Sequence, residues 1–141
     1  MNDFLTIIGA GLAGSEAAWQ AAERGIPVTL YEMRAITRTA AHQTDSCAEL
    51  VCSNSLGNNL PHSAPYILKE ELRNLNSLVI SVGDSNSVPA GSALAVDRDL
   101  FAKEITKRIS NHPLITLKRE EIVEIPNSGP IIIATGPLTS P

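Results

Sequence analysis

No run in this sequence approaches the ~20 apolar residues that a membrane-spanning helix needs. The N-terminal Met1-Asn2-Asp3 carries no basic residue, and the apolar stretch behind it is interrupted by Gly9, Gly11 and Gly14, which argues against a signal peptide. Cysteine is scarce, with only Cys47 and Cys52 present. Without an export signal, two thiols fit a reducing compartment, where they are structural, metal-bound or catalytic rather than disulfide-bonded. The expected location is therefore the cytoplasm, with no membrane partner. Positive charge is also short: 11 Lys and Arg stand against 15 Asp and Glu, for a formal net charge of −4 and a pI near 5.3. On its own such a segment is a poor ligand for nucleic acid, and a polyanionic partner would need basic groups from elsewhere. Internal repeats and low-complexity tracts are missing too. What is present, 141 residues with 43% hydrophobic content and a mean hydropathy of +0.05, is the composition of one soluble domain.

The order of elements reads as α/β. FLTII, residues 4–8, is a short apolar run that stops at GAGLAG, and an alanine-rich helical segment follows over 15–24, closed by Gly25 and Pro27. VTLY, 28–31, is a second strand ending on Glu32, so residues 4–32 make one βαβ unit. Residues 33–62 are rich in Thr, Ser, Asn, Ala and His without a clear period, as expected of a functional or mobile loop. From Ser63 to Gly83-Asp84 apolar residues recur at helical spacing, which predicts one long amphipathic helix. Residues 93–96 read as extended, and Asp97 or Asp99 could cap a helix carrying Phe101, Ile105 and Ile109 and ending near Asn111. Three strand-like runs follow, at 114–118, 121–125 and 130–135. Of the scattered basic residues, Arg34 and Arg38 share one loop, while Lys103, Lys107 and Arg108 read as a solvated helix face. The chain stops directly behind a strand, where a covering helix is expected, so it reads as a fragment or a truncated reading frame.

GAGLAG fits G-x-G-x-x-G. Gly9 permits the tight turn, Gly11 lets the backbone approach a pyrophosphate, and Gly14 lets the helix pack close to the strand, with N–H groups of the helix start aimed at the phosphates. The pattern follows a strand, opens a helix, and has Glu32 at the end of the next strand, where a carboxylate could accept hydrogen bonds from ribose hydroxyls. This context points to a dinucleotide. The βαβ unit alone does not separate NAD(P) from FAD; IIIATG (131–136) resembles the second signature of the two-dinucleotide-binding-domain flavoproteins and EIVEI (121–125) sits where that family has its adenine-reading strand, and this resemblance in order and spacing favours FAD.

Cys52 lies in ELVCSNSLGNN, among small polar residues that build no core. His42, Cys47, Cys52 and His62 share this loop, but they are single and widely spaced, so zinc is not the favoured reading and no metal is expected. A buried structural thiol suits Cys47. For Cys52 the polar neighbours leave the sulfur exposed, where a cation or helix N-terminus could activate it. His42 and His62 read as surface residues and His112 as a helix-end residue.

GAGLAGSEAAWQAAERGIPVTLYEMR, AELVCSNSLGNN, LKEELRNLNSL, VPAGSALAVDRDLF and IIATGPLTS together closely resemble the N-terminal part of the bacterial folate- and FAD-dependent tRNA (uracil-5-)-methyltransferases. The resemblance covers almost the whole chain. A family with a similar start, the FAD-dependent tRNA-uridine carboxymethylaminomethyl-modifying enzymes, typically has a Cys-Asn-Pro context at the thiol loop, where this sequence has Cys-Ser-Asn-Ser at 52–55.

The resemblance implies a Rossmann-like FAD-binding domain of the two-dinucleotide-binding-domain flavoprotein type. Residues 1–141 would form its N-terminal part, with a thiol loop over about 33–62. The implied reaction moves a one-carbon unit from methylenetetrahydrofolate to C5 of a T-loop uridine in tRNA, with reduced flavin supplying electrons and NAD(P)H recharging it. Carried over by position, Gly9, Ala10, Gly11, Leu12, Ala13, Gly14 and Glu32 would hold FAD, joined by Arg34 near the ribose and by Thr135 and Gly136 near the pyrophosphate. Cys52 would be the reactive thiol, either adding to uracil C6 or forming a protective adduct with flavin. The family is about three times longer than this chain, so the remaining FAD contacts, most of the folate site and the tRNA surface are expected outside it. The alternatives are the carboxymethylaminomethyl-modifying flavoprotein, a general FAD oxidoreductase, and a non-catalytic nucleotide-binding remnant.

Overall fold

Leu5–Ile8 forms β1, a strand whose last three residues are buried. The chain turns through residues 9–11 into α1, Leu12–Ala22. Gly14, Ala18 and Ala22 recur every fourth residue, so one face of α1 is made of small side chains and is buried. Val28–Tyr31 is β2. These coordinates are a computed structural model and describe residues 4–140. Next come β3, Ser55–Asn58, and two helices, α2 over Ala64–Asn74 and α3 over Leu78–Ser85. They are followed by β4, Ser87–Val88, β5, Ala93–Val96, and α4, Arg98–Asn111. The last two strands are β6, Ile115–Lys118, and β7, Ile131–Ile133.

Four strands build a parallel sheet in the order β6-β2-β1-β7, with Ile7 level with Leu30 on one side and Ile132 on the other. This is the doubly wound order, in which the chain changes direction across the sheet beside β1 and leaves a crevice at the carboxyl ends of the strands. A second, antiparallel sheet has the order β3-β5-β4, with a register irregularity between Ser55 and Asn58. Ile7, Leu30, Leu78, Val82, Val96, Phe101, Ile105 and Ile109 are almost wholly removed from solvent and join both layers in one core. Each such side chain contributes about 1.5–3 kcal/mol of transfer free energy. β7 pairs only with β1 among the described residues and leaves Ile132 and Ile133 partly exposed. No helix among the described residues is long and apolar enough to cross a membrane.

The expected α/β order, β2, β5 and the Asp97 cap agree with the structure; the Asp97 carboxylate accepts from the N–H groups of Asp99 and Leu100 at 3.0 Å. Two expectations are corrected. The single helix expected over 63–83 is two helices, because Asn76 takes a positive φ of 56° and Ser77 starts a new helix by accepting from the Ile80 N–H at 3.2 Å. The Glu16 carboxylate crowns that start, accepting from the Ser77 hydroxyl at 2.9 Å and the Val79 N–H at 2.8 Å. A carboxylate there also complements the helix dipole. The run 121–125 is no strand: it finds no ladder partner, and Val123 and Ile125 stand exposed. The structure also adds a feature that the loop reading lacked. β3, inside residues 33–62, draws the polar loop into the second sheet.

Candidate functional site

The carboxyl ends of β1, β2 and β7 open on a cleft lined by Gly9, Gly11, Glu32, Arg34, His42 and Thr135, with Glu120–Ile122 and 138–140 closing its rim. The three turn glycines meet different surroundings. Gly9 has φ +100°, and a Cβ there would lie 2.6 Å from the Ala134 carbonyl oxygen. A Cβ on Gly14 would overlap the Gly9 carbonyl oxygen. Gly11 has nothing within 4 Å of its would-be Cβ, so its bare backbone faces open space at the start of α1. That start has no side-chain cap and no acidic residue in its first turn, which leaves orphan N–H donors directed at the cleft. Leu12 and Ala13 are exposed there, and Ala10 is wholly buried. Thr135 lines the opposite wall; Gly136 beside it takes φ +66°.

Glu32 is 5% exposed and its carboxylate is fully engaged. Oε2 accepts from the Ala10 N–H at 2.9 Å and from Arg34 Nη2 at 3.0 Å, while Oε1 accepts from the Arg34 N–H at 3.0 Å and Nε at 2.8 Å. Burial pushes the Glu32 pKa up, but hydrogen bonds and charge from Arg34, with the Ala10 N–H, outweigh it and leave the group below its ordinary value. Arg34 is 2% exposed, so it is a buried cation and not a loop-surface charge. Its Nη1 reaches Glu49 Oε2 at 3.2 Å. Glu49 in turn gathers the loop, accepting from the N–H groups of Gln43 at 2.8 Å and Thr44 at 3.1 Å and from the Thr44 hydroxyl at 3.0 Å.

The two cysteines separate. Cys47 is wholly buried, with burial pushing its thiol pKa up, and its N–H donates to the Thr106 hydroxyl at 2.8 Å. Cys52 is exposed and lies outside the lining of the cleft. Among the described residues no three His, Cys, Asp or Glu side chains gather as a metal site. His42 is placed in the cleft wall, its Nδ1 2.6 Å from the Thr39 hydroxyl. Burial and the charge of Arg34 hold its pKa below the usual histidine value, an effect partly offset by Glu49 and Glu32. His62 sits exposed at a positive φ of 68°. His112 ends α4 as expected, edge-on to Trp19 and 3.1 Å from Glu23.

Sequence reasoning missed Glu49 and Ser15. The Ser15 hydroxyl donates to the Ala10 carbonyl at 3.1 Å, and the same carbonyl accepts from the Ala48 N–H at 2.8 Å. The glycine-rich turn and the thiol loop are therefore directly joined. Ser15, inside the first turn of α1, carried no signal for this, because the junction depends on where residue 48 returns in space.

A family profile described as glucose inhibited division protein A matches residues 5–140. The chain is 62% identical over 140 residues to the methylenetetrahydrofolate–tRNA-(uracil-5-)-methyltransferase of Enterococcus faecalis, covering 99% of this chain and 32% of that protein. It is 58% identical over 140 residues to the protein of the same name from Gloeobacter violaceus, covering 99% and 31%. The chain thus spans about a third of the length of the curated relatives it matches. Among solved structures, that of Aquifex aeolicus GidA superimposes with a TM-score of 0.68 at 21% identity, over 88% of this chain and 21% of the other, which shows the common fold.

Proposed function

The chain belongs to the glucose inhibited division protein A family, and from that premise we propose that it is the N-terminal, FAD-binding part of a folate-dependent tRNA (uracil-5-)-methyltransferase. The observation that carries this reading is the 62% identity along 140 residues to a relative so named. Identity at that level, over a match that spans 99% of this chain, supports a shared reaction and not only a shared fold.

The residues present fit FAD. The start of α1 at Leu12 and Ala13 would offer uncapped N–H groups to a pyrophosphate, Gly11 leaves space where a side chain would obstruct it, and Ala10 lies buried beneath with its own N–H on Glu32. Thr135, just after β7, lines the same crevice, and Gly136 follows it in the chain. Glu32 at the end of β2 would accept from ribose hydroxyls in place of an Arg34 side-chain donor. FAD, when bound, supplies the two-electron chemistry that reduces the transferred carbon. Methylenetetrahydrofolate would donate that carbon and NAD(P)H the electrons. C5 of a T-loop uridine in tRNA would receive the methyl group, and Cys52, exposed in the thiol loop, would be the reactive thiol.

Two measurements test the reading. Absorbance of the purified chain after mixing with FAD and removing free flavin should show a bound yellow chromophore; a colourless protein would sink the claim that this segment binds flavin by itself. The chain joined to the remaining two thirds of a relative should then form ribothymidine in tRNA only when methylenetetrahydrofolate is supplied. A different uridine product would favour the carboxymethylaminomethyl chemistry, and flavin binding without any product would favour a nucleotide-binding remnant.

A further inference from the structure

All four acceptor positions of the Glu32 carboxylate are filled from within the chain: two by the Arg34 side chain, one by the Arg34 backbone and one by the Ala10 backbone. A ribose hydroxyl therefore reaches this carboxylate only by displacing a donor. The two backbone donors are fixed by the turn after β2 and by the glycine-rich turn, so the donors that yield are Nε and Nη2 of Arg34. The guanidinium has little route to water, because its side chain is 3% exposed. Its other carboxylate is Glu49, already in contact through Nη1 at 3.2 Å.

Glu49 is three residues before Cys52, and its two oxygens hold the loop at Gln43 and Thr44. On the other side of Cys52, Asn54 is tied to β5. Its Nδ2 donates to the Val96 carbonyl at 3.0 Å, and its own carbonyl accepts from the Val96 N–H at 2.9 Å. The thiol thus rides on the short span 50–53 between two anchors, and the upstream anchor shares Arg34 with the ribose site.

We infer that Arg34 is a positioning residue that ties occupancy of the ribose site at Glu32 to the reactivity of Cys52, by passing its guanidinium from Glu32 to Glu49 when a diol binds. The inference rests on the cofactor reading above. A guanidinium shifted onto Glu49 tightens the upstream anchor and restricts the span that carries the exposed thiol, which slows its attack on a reagent. Loss of Glu49 as an anion frees the span and cuts the link.

The test uses iodoacetamide, a neutral reagent, on the intact 141-residue chain, with the alkylated cysteine located by mass spectrometry. Rates at Cys52 are compared without nucleotide, with saturating ADP, and with saturating 2′,3′-dideoxy-ADP, which keeps the phosphates and lacks the ribose hydroxyls; calorimetry establishes binding. ADP should slow alkylation roughly threefold, the scale of one partly exposed charge contact, while dideoxy-ADP leaves it unchanged. Glu49→Gln should react faster without nucleotide and lose the response at saturating ADP. Equal rates with and without bound ADP, equal effects of the two nucleotides, or a response retained in Glu49→Gln would overturn the inference while leaving the cofactor site intact. Failure of ADP to bind at all would remove the cofactor reading and this inference together.

Discussion

Arg34 and Glu32 form a buried two-pronged ion pair, with Nε 2.8 Å from Oε1 and Nη2 3.0 Å from Oε2. Removing one partner strands the other's charge in the interior. Glu32→Ala should cost about 3 kcal/mol, the lower end for a broken buried pair because Glu49 still faces the guanidinium. Chemical denaturation of the two proteins measures the difference.

The same network predicts the response to acid. Glu32 and Glu49 both sit below their ordinary pKa of 4.5: burial raises each, and donors outweigh it, chiefly Arg34 for Glu32 and the Gln43 and Thr44 groups for Glu49. A depressed carboxylate stabilises the fold fully above its unfolded pKa and loses that contribution as pH falls through its folded value. The melting temperature should hold from neutrality to about pH 5 and fall below it. Glu49→Gln should make the acid side shallower. An unchanged slope would show that other carboxylates govern acid unfolding.

Gly11 separates folding from binding. Its φ of −70° is open to any residue and nothing crowds its Cβ, so Gly11→Ala should melt at or slightly above the parent, by up to about 1 kcal/mol of stability. FAD binding should nevertheless weaken by about tenfold or more, since the methyl group enters the space kept for the pyrophosphate. Gly9→Ala and Gly14→Ala should lower the melting temperature itself, because their Cβ atoms meet backbone. Equal binding by Gly11→Ala would move the phosphate site elsewhere.

The thiols should titrate one at a time. Under native conditions a thiol reagent should modify Cys52 and leave Cys47, which is buried with its pKa pushed up by that burial. Both react once the chain is unfolded. A Cys52→Ser chain that still consumes one equivalent of reagent in the native state would contradict the placement of Cys47.

Lys69 fastens the second sheet. It is 4% exposed and donates to the carbonyls of Leu56 at 3.2 Å and Asn58 at 2.8 Å. Lys69→Met keeps the stem and removes both donors, so amide exchange within Ser55–Asn58 should accelerate by about tenfold, the equivalent of one net hydrogen bond. Exchange in β1 and β2 should not change.

The readings that held from sequence to structure were local ones. Asp97 caps α4 through the N–H groups of Asp99 and Leu100, two and three residues on, and the turn from β1 into α1 falls at the glycines that announce it. The helix over 63–83 was misread because apolar spacing continues across Asn76 and Ser77; the break comes from one left-handed residue and a cap supplied partly by Glu16, 61 residues earlier. The run 121–125 has strand composition but no neighbour to pair with, and composition does not report neighbours. The resemblance implied a ribose role for Arg34, and nothing in the sequence announced its burial, because Glu49 joins it from across the loop. The second sheet was hidden for a similar reason: β3 is polar and half-exposed, and β5 holds it by backbone pairing.

Ala10 carries no functional group in its side chain. Its N–H goes to Glu32, and its carbonyl takes both the Ser15 hydroxyl and the Ala48 N–H. One peptide unit on each side of a methyl group is therefore the crossing point of the glycine-rich turn, the Glu32 carboxylate and the segment leading to Cys52. A survey that reads importance from side-chain chemistry would pass over it as filler. Swapping the amide preceding Ala10 for an ester, which deletes its N–H and keeps every side chain, would remove the Glu32 contact alone and leave the carbonyl's bonds to Ser15 and Ala48 in place.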